Sequence, residues 1–210
     1  MRPFVSIRRN RVALRRLRRR LQRDGRGVAA VEFALILPVM LVLYYGVVEL
    51  GQAAMADRRV TQLNRSLVDL ASRKTALDDN DADLAFAVGQ MIMGAISTPT
   101  TLKMTIASVV VDDKGVAKLC WSAQKNTTAP PANITLPDGL LIPKTSVIMA
   151  EASYVYEPLL GDLVVKSALT LGGNRIYMRP RMAAKTGTLN IEQVVRIKGT
   201  GSAATTTACP

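Results

Sequence analysis

One apolar run constrains this chain more than any other feature of its sequence. The run Phe33–Val48 has sixteen residues without a charge, and two acids, Glu32 and Glu49, lie at its edges. As a helix, residues 28–50 would be about 34 Å long at 1.5 Å per residue, which is enough to cross a hydrocarbon core of ~30 Å. Pro38 is tolerated in such a helix, because neighbouring groups can satisfy the carbonyl that proline leaves free. The sequence therefore predicts a membrane-spanning helix over residues 28–50.

The positive charge is concentrated ahead of this run. Residues 1–27 contain eleven arginines and a single acid, and so carry +10 of the net charge of +12. An arginine block before a span predicts that the N-terminus is cytoplasmic and that the C-terminal body lies across the membrane. Leu14, Leu17 and Leu21 recur at helical spacing, which predicts a basic amphipathic helix that contacts anionic lipid. Because topology and lipid contact explain the arginines, and aromatic residues are only 4% of the chain, we expect no nucleic-acid partner.

The composition also excludes several classes of enzyme and metalloprotein. The chain has no histidine, which removes Ser-His-Asp and Cys-His catalytic groups and every histidine metal site. Asp79, Asp81 and Asp83 alternate as in a calcium loop, but Leu84 and Gln90 stand where such a loop needs Gly and Glu, so we expect a turn and a helix N-cap there. Phosphate-binding and nucleophile motifs are absent from the sequence. The sequence therefore predicts a non-enzymatic protein with no catalytic residue, cofactor, metal or small-molecule substrate.

Two short strings enclose the apolar run. They are Arg26-Gly27-Val28-Ala29-Ala30-Val31-Glu32-Phe33 and Gly46-Val47-Val48-Glu49-Leu50-Gly51. The combination of a basic leader that ends in Gly, a Glu-Phe pair after four small or apolar residues, an early Pro and a closing Glu-Leu-Gly resembles the TadE/TadG-like pilus assembly proteins. These belong to the Tad/Flp branch of the type IV-like pilins.

The resemblance implies a processing site and an assembly site. A prepilin peptidase would cut after Gly27, so that Val28 becomes the new N-terminus and Glu32 the fifth mature residue. In a helix, Val28 and Glu32 are an i,i+4 pair on one face. An amine and a carboxylate at membrane depth are each costly alone and much less costly when paired. The resemblance thus assigns assembly roles to Glu32 and Phe33.

The same resemblance implies a location and partners. The protein would be a minor pseudopilin of the bacterial inner membrane, because its body is larger than that of a very short major pilin. Its partners would be the prepilin peptidase, other pilin and pseudopilin subunits, and the membrane itself. The C-terminal body would be periplasmic, or would become part of an extracellular, adhesive pilus after assembly.

Two other interpretations of the N-terminal segment stay open. Ala54-Met55-Ala56 fits a signal peptidase site, and cleavage after Ala56 would release a secreted soluble binding protein that lacks Glu32. Alternatively, the chain is an uncleaved bitopic envelope protein that keeps its leader. In that case Glu32 would simply face lipid headgroups at the membrane interface.

Helical spacing continues beyond the span. Val60, Leu63, Leu67 and Leu70 form one stripe, and neither Pro nor Gly occurs between Gln52 and Lys74, so residues 51–76 are predicted to extend the membrane helix as an amphipathic half. A second, short helix is predicted over Asp83–Ile96. Its predicted buried face consists of Leu84, Val88, Met91, Ile92 and Ala95.

From residue 100 onward the pattern is that of strands. Gly172-Gly173-Asn174 is typical of a turn, and residues 202–210 of a tail. The fold class predicted is therefore α+β and pilin-like: a long N-terminal helix, a second short helix, and an antiparallel sheet of three to five strands in a body over residues 77–201. The predicted strands are Lys103–Val111, Val116–Ala123, Lys144–Glu157, Asn174–Met182 and an edge strand at Ile191–Lys198.

The two cysteines raise the question of a disulfide. Cys120 lies in a predicted strand and Cys209 in the predicted tail. A periplasmic body permits a bond between them, which would hold the tail. Two unpaired thiols, with Cys120 buried as a small apolar residue, remain the alternative.

Overall fold

The computed structural model describes residues 27–94, 98, 100–158, 168–199, 204–207 and 209. The chain divides into two units, the first ending at Val48 and the second beginning at Glu49. The arginine-rich leader, with its predicted amphipathic helix, lies outside the described residues apart from Gly27.

A single helix, α1, runs over Val28–Ser72. Pro38 lies inside this helix and does not end it, as predicted from the sequence. The prediction that the apolar and amphipathic halves form one continuous helix is therefore confirmed. The second unit contains the C-terminal half of α1 and all the strands.

The buried stripe of α1 differs from the predicted one at two positions. Val60, Leu63 and Leu67 are buried as predicted, but Leu70 is exposed and Ala71 takes its place. The reason is the helical period, because Ala71 lies four residues after Leu67 and therefore on the same face of the helix, the face that meets the sheet. Asn64, which is not part of the predicted apolar stripe, is also buried, and its side-chain amide donates to the Asn174 carbonyl at 3.0 Å.

The main sheet is antiparallel and has four strands in the order β3-β2-β4-β5. The expected sheet of three to five antiparallel strands is therefore confirmed, as is the α+β class. Asp112, in the β2–β3 hairpin, accepts backbone N–H bonds from Lys114 and Val116 and so closes the loop that the sequence predicts there. The four strands are β2 (Leu102–Val111), β3 (Ala117–Lys125), β4 (Thr145–Tyr156) and β5 (Leu169–Met178).

Both faces of this sheet are covered. One face packs against the helices, where Met104, Ile106 and Ile148 join the buried residues of α1. The other face is covered by the loop that follows β3, which contributes Ile134 and Leu136 to a second apolar cluster. Because both sides are apolar, β2 is buried almost throughout, and alternation in its sequence is weak.

The second helix, α2, runs over Asp79–Met93, so it begins four residues before the predicted start. Asp78 is its N-cap and accepts the Asp81 N–H at 2.6 Å, as expected for a capping turn rather than a calcium loop. Lys74 pairs with Asp81 across this turn at 2.8 Å.

The buried face predicted for α2 is only partly correct, because Ile92 packs against the core and Val88 is half-buried, but two of the other predicted residues are exposed. Leu84 is 63% exposed and Met91 is 76% exposed, and Ala95 lies outside the described residues. The helix approaches the sheet closely at Gly89, where a Cβ would lie 2.8 Å from the sulfur of Met104. The buried residues of α2 are Ala82, Ala85, Phe86, Gly89 and Met93.

The turn predicted at Gly172–Asn174 is also wrong, because these residues lie within β5. The pairing with β4 shifts register between Glu151 and Ser153, so the glycines form a bulge in a continuing strand. Gly172 and Gly173 have φ of 79° and 81°, a region that glycine enters without strain. Glycine is typical of both turns and bulges, so the sequence alone does not distinguish the two.

Five short strands complete the described part of the body. The segment predicted as one edge strand is divided at Val194 between two sheets, and the predicted tail contains a strand. β1, β8 and β9 form a sheet in the order β1-β8-β9, and β6 pairs with β7. The strands are β1 (Ala76–Leu77), β6 (Ala184–Thr186), β7 (Ile191–Gln193), β8 (Val195–Lys198) and β9 (Thr205–Thr207).

An ion pair between a buried arginine and a half-exposed aspartate joins the start of α2 to β8. The Arg196 guanidinium is buried, pairs with the Asp79 carboxylate, and also donates to the Leu77 carbonyl at 2.9 Å. The Gly199 N–H donates to the other Asp79 oxygen at 2.8 Å. This backbone bond, with Arg196, lowers the pKa of Asp79. One acid of the calcium-like run therefore has a structural partner.

Candidate functional site

The residues assigned to processing and assembly lie at the beginning of α1. Gly27 immediately precedes the helix and Val28 is its first residue. Glu32 follows one turn later, on the same face as Val28 by helical spacing. Both Glu32 and Phe33 are exposed, Phe33 by 64%. A Cβ on Gly27 would meet nothing within 4 Å, so the junction is sterically open within the described chain.

Glu32 lies at the positive end of α1. The unsatisfied N–H groups of the first helical turn favour a negative charge close to them. Within the part of the chain that the structure describes, Glu32 makes no hydrogen bond or ion pair. An amine at Val28, once formed, would be the nearest cation along the helix.

A belt of apolar side chains surrounds the first part of α1. Every large apolar side chain from Val28 to Leu50 is exposed, with exposed fractions between 37% at Val48 and 72% at Leu35 and Leu50. The helix is long and apolar enough to cross a membrane, and none of its most apolar window is buried. Exposed apolar surface of this extent is typical of contact with lipid or with another protein.

Glu49 marks the end of this belt, and it has a partner in the body. The Tyr156 hydroxyl donates to the Glu49 carboxylate at 2.7 Å, and Tyr156 is only 6% exposed. Burial and the adjacent carboxylate raise the pKa of Tyr156 to about 12, so the hydroxyl remains a proton donor at neutral pH. This hydrogen bond holds Tyr156, the last residue of β4, against α1.

Sequence reasoning assigned no role to this pair. A signal was present, because an acid at the end of an apolar run needs a hydrogen-bond donor wherever it is partly buried. The identity of the donor was not readable, since Tyr156 lies 107 residues further along the chain.

The two cysteines are joined in the structure. Cys120 and Cys209 form a disulfide with a Cα separation of 5.5 Å. Gln193, fully buried, reinforces it: its amide donates to the Cys209 carbonyl at 3.0 Å, and its side-chain oxygen accepts the Cys209 N–H at 2.9 Å. The segment after β9 is thus tied to β3 by a covalent bond and to β7 by two hydrogen bonds.

The described residues contain no cluster of three or more acids, cysteines or histidines that could hold a metal ion. Two of the three acids in the calcium-like run are ion-paired, Asp81 with Lys74 and Asp79 with Arg196. The preceding Asp78 is the N-cap of α2. The chemistry that the described residues offer at the N-terminal site is therefore that of an exposed carboxylate one turn after the start of α1.

Comparison with known proteins identifies the N-terminal segment. Residues 27–76 match the family model described as TadE-like protein, and the match ends just before α2. No curated protein and no solved structure matches the chain. The family match indicates involvement in Tad pilus assembly, with other pilus components as partners. The match covers Gly27, Glu32, Phe33 and the apolar run, and it confirms the resemblance predicted from the sequence: residues 27–76 are similar to the TadE-like family.

Proposed function

We propose that this protein is a non-enzymatic minor pseudopilin that is inserted in the inner membrane and processed after Gly27. The observation that carries the proposal is the combination of an open Gly27–Val28 junction with a partner-free, exposed Glu32 one helical turn later, within the described chain. The family match over residues 27–76 supports it. The apolar belt of α1 would store the subunit in the bilayer and later pack against other subunits.

In this proposal Glu32 acts after processing. Cleavage releases an α-amine at Val28, and a carboxylate in an apolar environment gains most from pairing with such a cation. Pairing with the amine of a neighbouring subunit would set the axial position of one helix against the next. The body, which begins at Glu49, would make the remaining contacts with other subunits.

The test is replacement of Glu32 by alanine in the native host. We expect Glu32→Ala protein to be inserted and cut as efficiently as wild type, and filament recovery by shearing to fall to background. Membrane fractionation, intact mass and electron microscopy of filaments measure the three steps separately. The loss arises because the unpaired amine then has no carboxylate at membrane depth.

Glu49→Gln is the matched control, since it removes the carboxylate at the other end of the apolar run. Its amide oxygen still accepts the Tyr156 hydroxyl, so we expect filaments to form. Normal piliation by Glu32→Ala would remove Glu32 from the mechanism. Equal loss in both variants would show that any change of charge on α1 is harmful, and would equally contradict a specific role.

A further inference from the structure

A polar pocket of about 300 Å³ lies at the end of the body opposite to Glu49. Tyr156, which contacts Glu49, is the last residue of β4. The pocket begins at Lys144, the residue directly before the first residue of β4. Twelve strand residues separate these ends by about 40 Å. Three separate stretches line the pocket: the start of β4, the turn after β5, and the β6–β7 hairpin.

Positive charge is concentrated at this pocket. Lys144, Arg179 and Lys185 line it, with Glu192 as the single acid, which leaves a local excess of two positive charges. In the described residues none of these three cations takes part in an ion pair. The body's other cations are often paired, and the described ion pairs are Arg73–Asp69, Arg181–Asp69, Lys74–Asp81, Lys118–Asp112, Arg175–Glu151 and Arg196–Asp79.

The pocket walls are held by specific hydrogen bonds. The buried Ser146 hydroxyl donates to the Glu192 carbonyl at 2.5 Å, which fixes β7 beside β4. The Lys144 N–H donates to the Val111 carbonyl at 3.0 Å. Lys144 and Asn190 both adopt positive φ, 58° and 50°, a conformation that L-residues other than glycine enter at a cost. The backbone that carries Lys144 is thus held in place beside the β6–β7 hairpin.

From this pocket we propose that the body binds an acidic saccharide, a sugar ring that carries a carboxylate or a phosphate. Arg179 supplies a planar fork of donors for an oxyanion, and the two lysines supply further charge. Thr145 and Asn190 add hydroxyl and amide groups of the kind that bind sugar hydroxyls. Pro180 is the one apolar residue among those that line it, whereas the centre of a protein–protein interface is normally apolar.

This inference does not depend on pilus assembly, because the pocket lies wholly within the second unit. It assigns an acidic saccharide as a ligand to the end of the body that is remote from Glu49. Bound sugar acid would remain unchanged, so no catalytic step is involved.

The test is a calorimetric titration of the full-length chain in detergent micelles. The ligands are glucuronate, glucose 6-phosphate, inorganic phosphate, glucose and a hexaglutamate peptide. We expect saturable binding of both acidic sugars, weaker binding of phosphate, and none of glucose. Arg179→Gln should weaken the binding of glucuronate about tenfold, as expected for loss of a charge-assisted hydrogen-bonding group.

Arg73→Gln is the matched control, since it makes the same change at an exposed arginine that is paired with Asp69 and lies outside the pocket. We expect it to bind glucuronate as wild type does. An equal loss in both variants would show a general charge effect and overturn the site. Phosphate binding as tight as that of the sugar phosphate, tighter binding of a hexaglutamate peptide, or no saturable binding of any acidic sugar would each overturn the saccharide assignment.

Discussion

Gly172→Ala is expected to lower the free energy of unfolding by about 2–5 kcal/mol, the sum of backbone strain and overpacking. Gly172 has a φ of 79°, which an alanine adopts only under strain. A Cβ there would also lie 2.4 Å from a methyl group of Val60 and 2.7 Å from the Ala152 carbonyl oxygen. Neither neighbour can withdraw easily, because Val60 is fully buried and Ala152 belongs to the paired strand β4.

The measurement is denaturant unfolding of the full-length chain in micelles. Trp121 is the only tryptophan of the sequence, is buried, and donates its indole N–H to the Val194 carbonyl at 2.7 Å, so its fluorescence reports on the body. Gly173→Ala is the control: its φ is 81°, but an added Cβ meets nothing within 4 Å. It should cost only the strain component, about 1–2 kcal/mol. Equal losses in the two variants would contradict the close packing of α1 on β5.

Removal of the disulfide is expected to cost about 2–4 kcal/mol of stability. Cys120 and Cys209 are 89 residues apart, so the bond restricts a long loop of the unfolded chain. The bond also holds the strand β9, whose three residues pair with β8 alone. The double variant Cys120→Ser with Cys209→Ser should therefore unfold at lower denaturant concentration by the same fluorescence measurement.

Thiol chemistry gives the control for this second prediction. A reducing agent should lower the stability of wild type toward that of the double variant, and should leave the double variant unchanged. Alkylation of unreduced wild type should add no mass. Two alkyl groups on the unreduced protein, or equal stability of the two proteins, would contradict a disulfide in the native body.

The helical part of the fold was predictable because its signal is local. A charge-free run followed by Val60, Leu63 and Leu67 at helical spacing is sufficient for α1, and the Gly27–Glu32–Phe33 motif lies on consecutive turns. The face of α2 was not predictable in the same way. Its core side is chosen by the close approach at Gly89, and the larger Leu84 and Met91 are left exposed.

The sheet order and its partners depend on contacts between distant residues. β2 lies between β3 and β4, and the bulge at Gly172 depends on Val60 of α1, which a local pattern does not encode. The same holds for the bond between Tyr156 and Glu49. The basic pocket is not predictable from the sequence, because Lys144 is far from Arg179 and Lys185 along the chain, and the three meet only where the start of β4, the end of β5 and the β6–β7 hairpin lie together.

The most direct test of the whole account is the N-terminus of the protein recovered from membranes of its own host. Intact mass with N-terminal sequencing distinguishes the three forms. The account predicts a chain that begins at Val28 and retains Glu32. A chain that begins at Asp57 would show a secreted protein cut after Ala56, and an intact Met1 would show an uncleaved membrane anchor. Either result would contradict prepilin-type processing and the assembly role that depends on it.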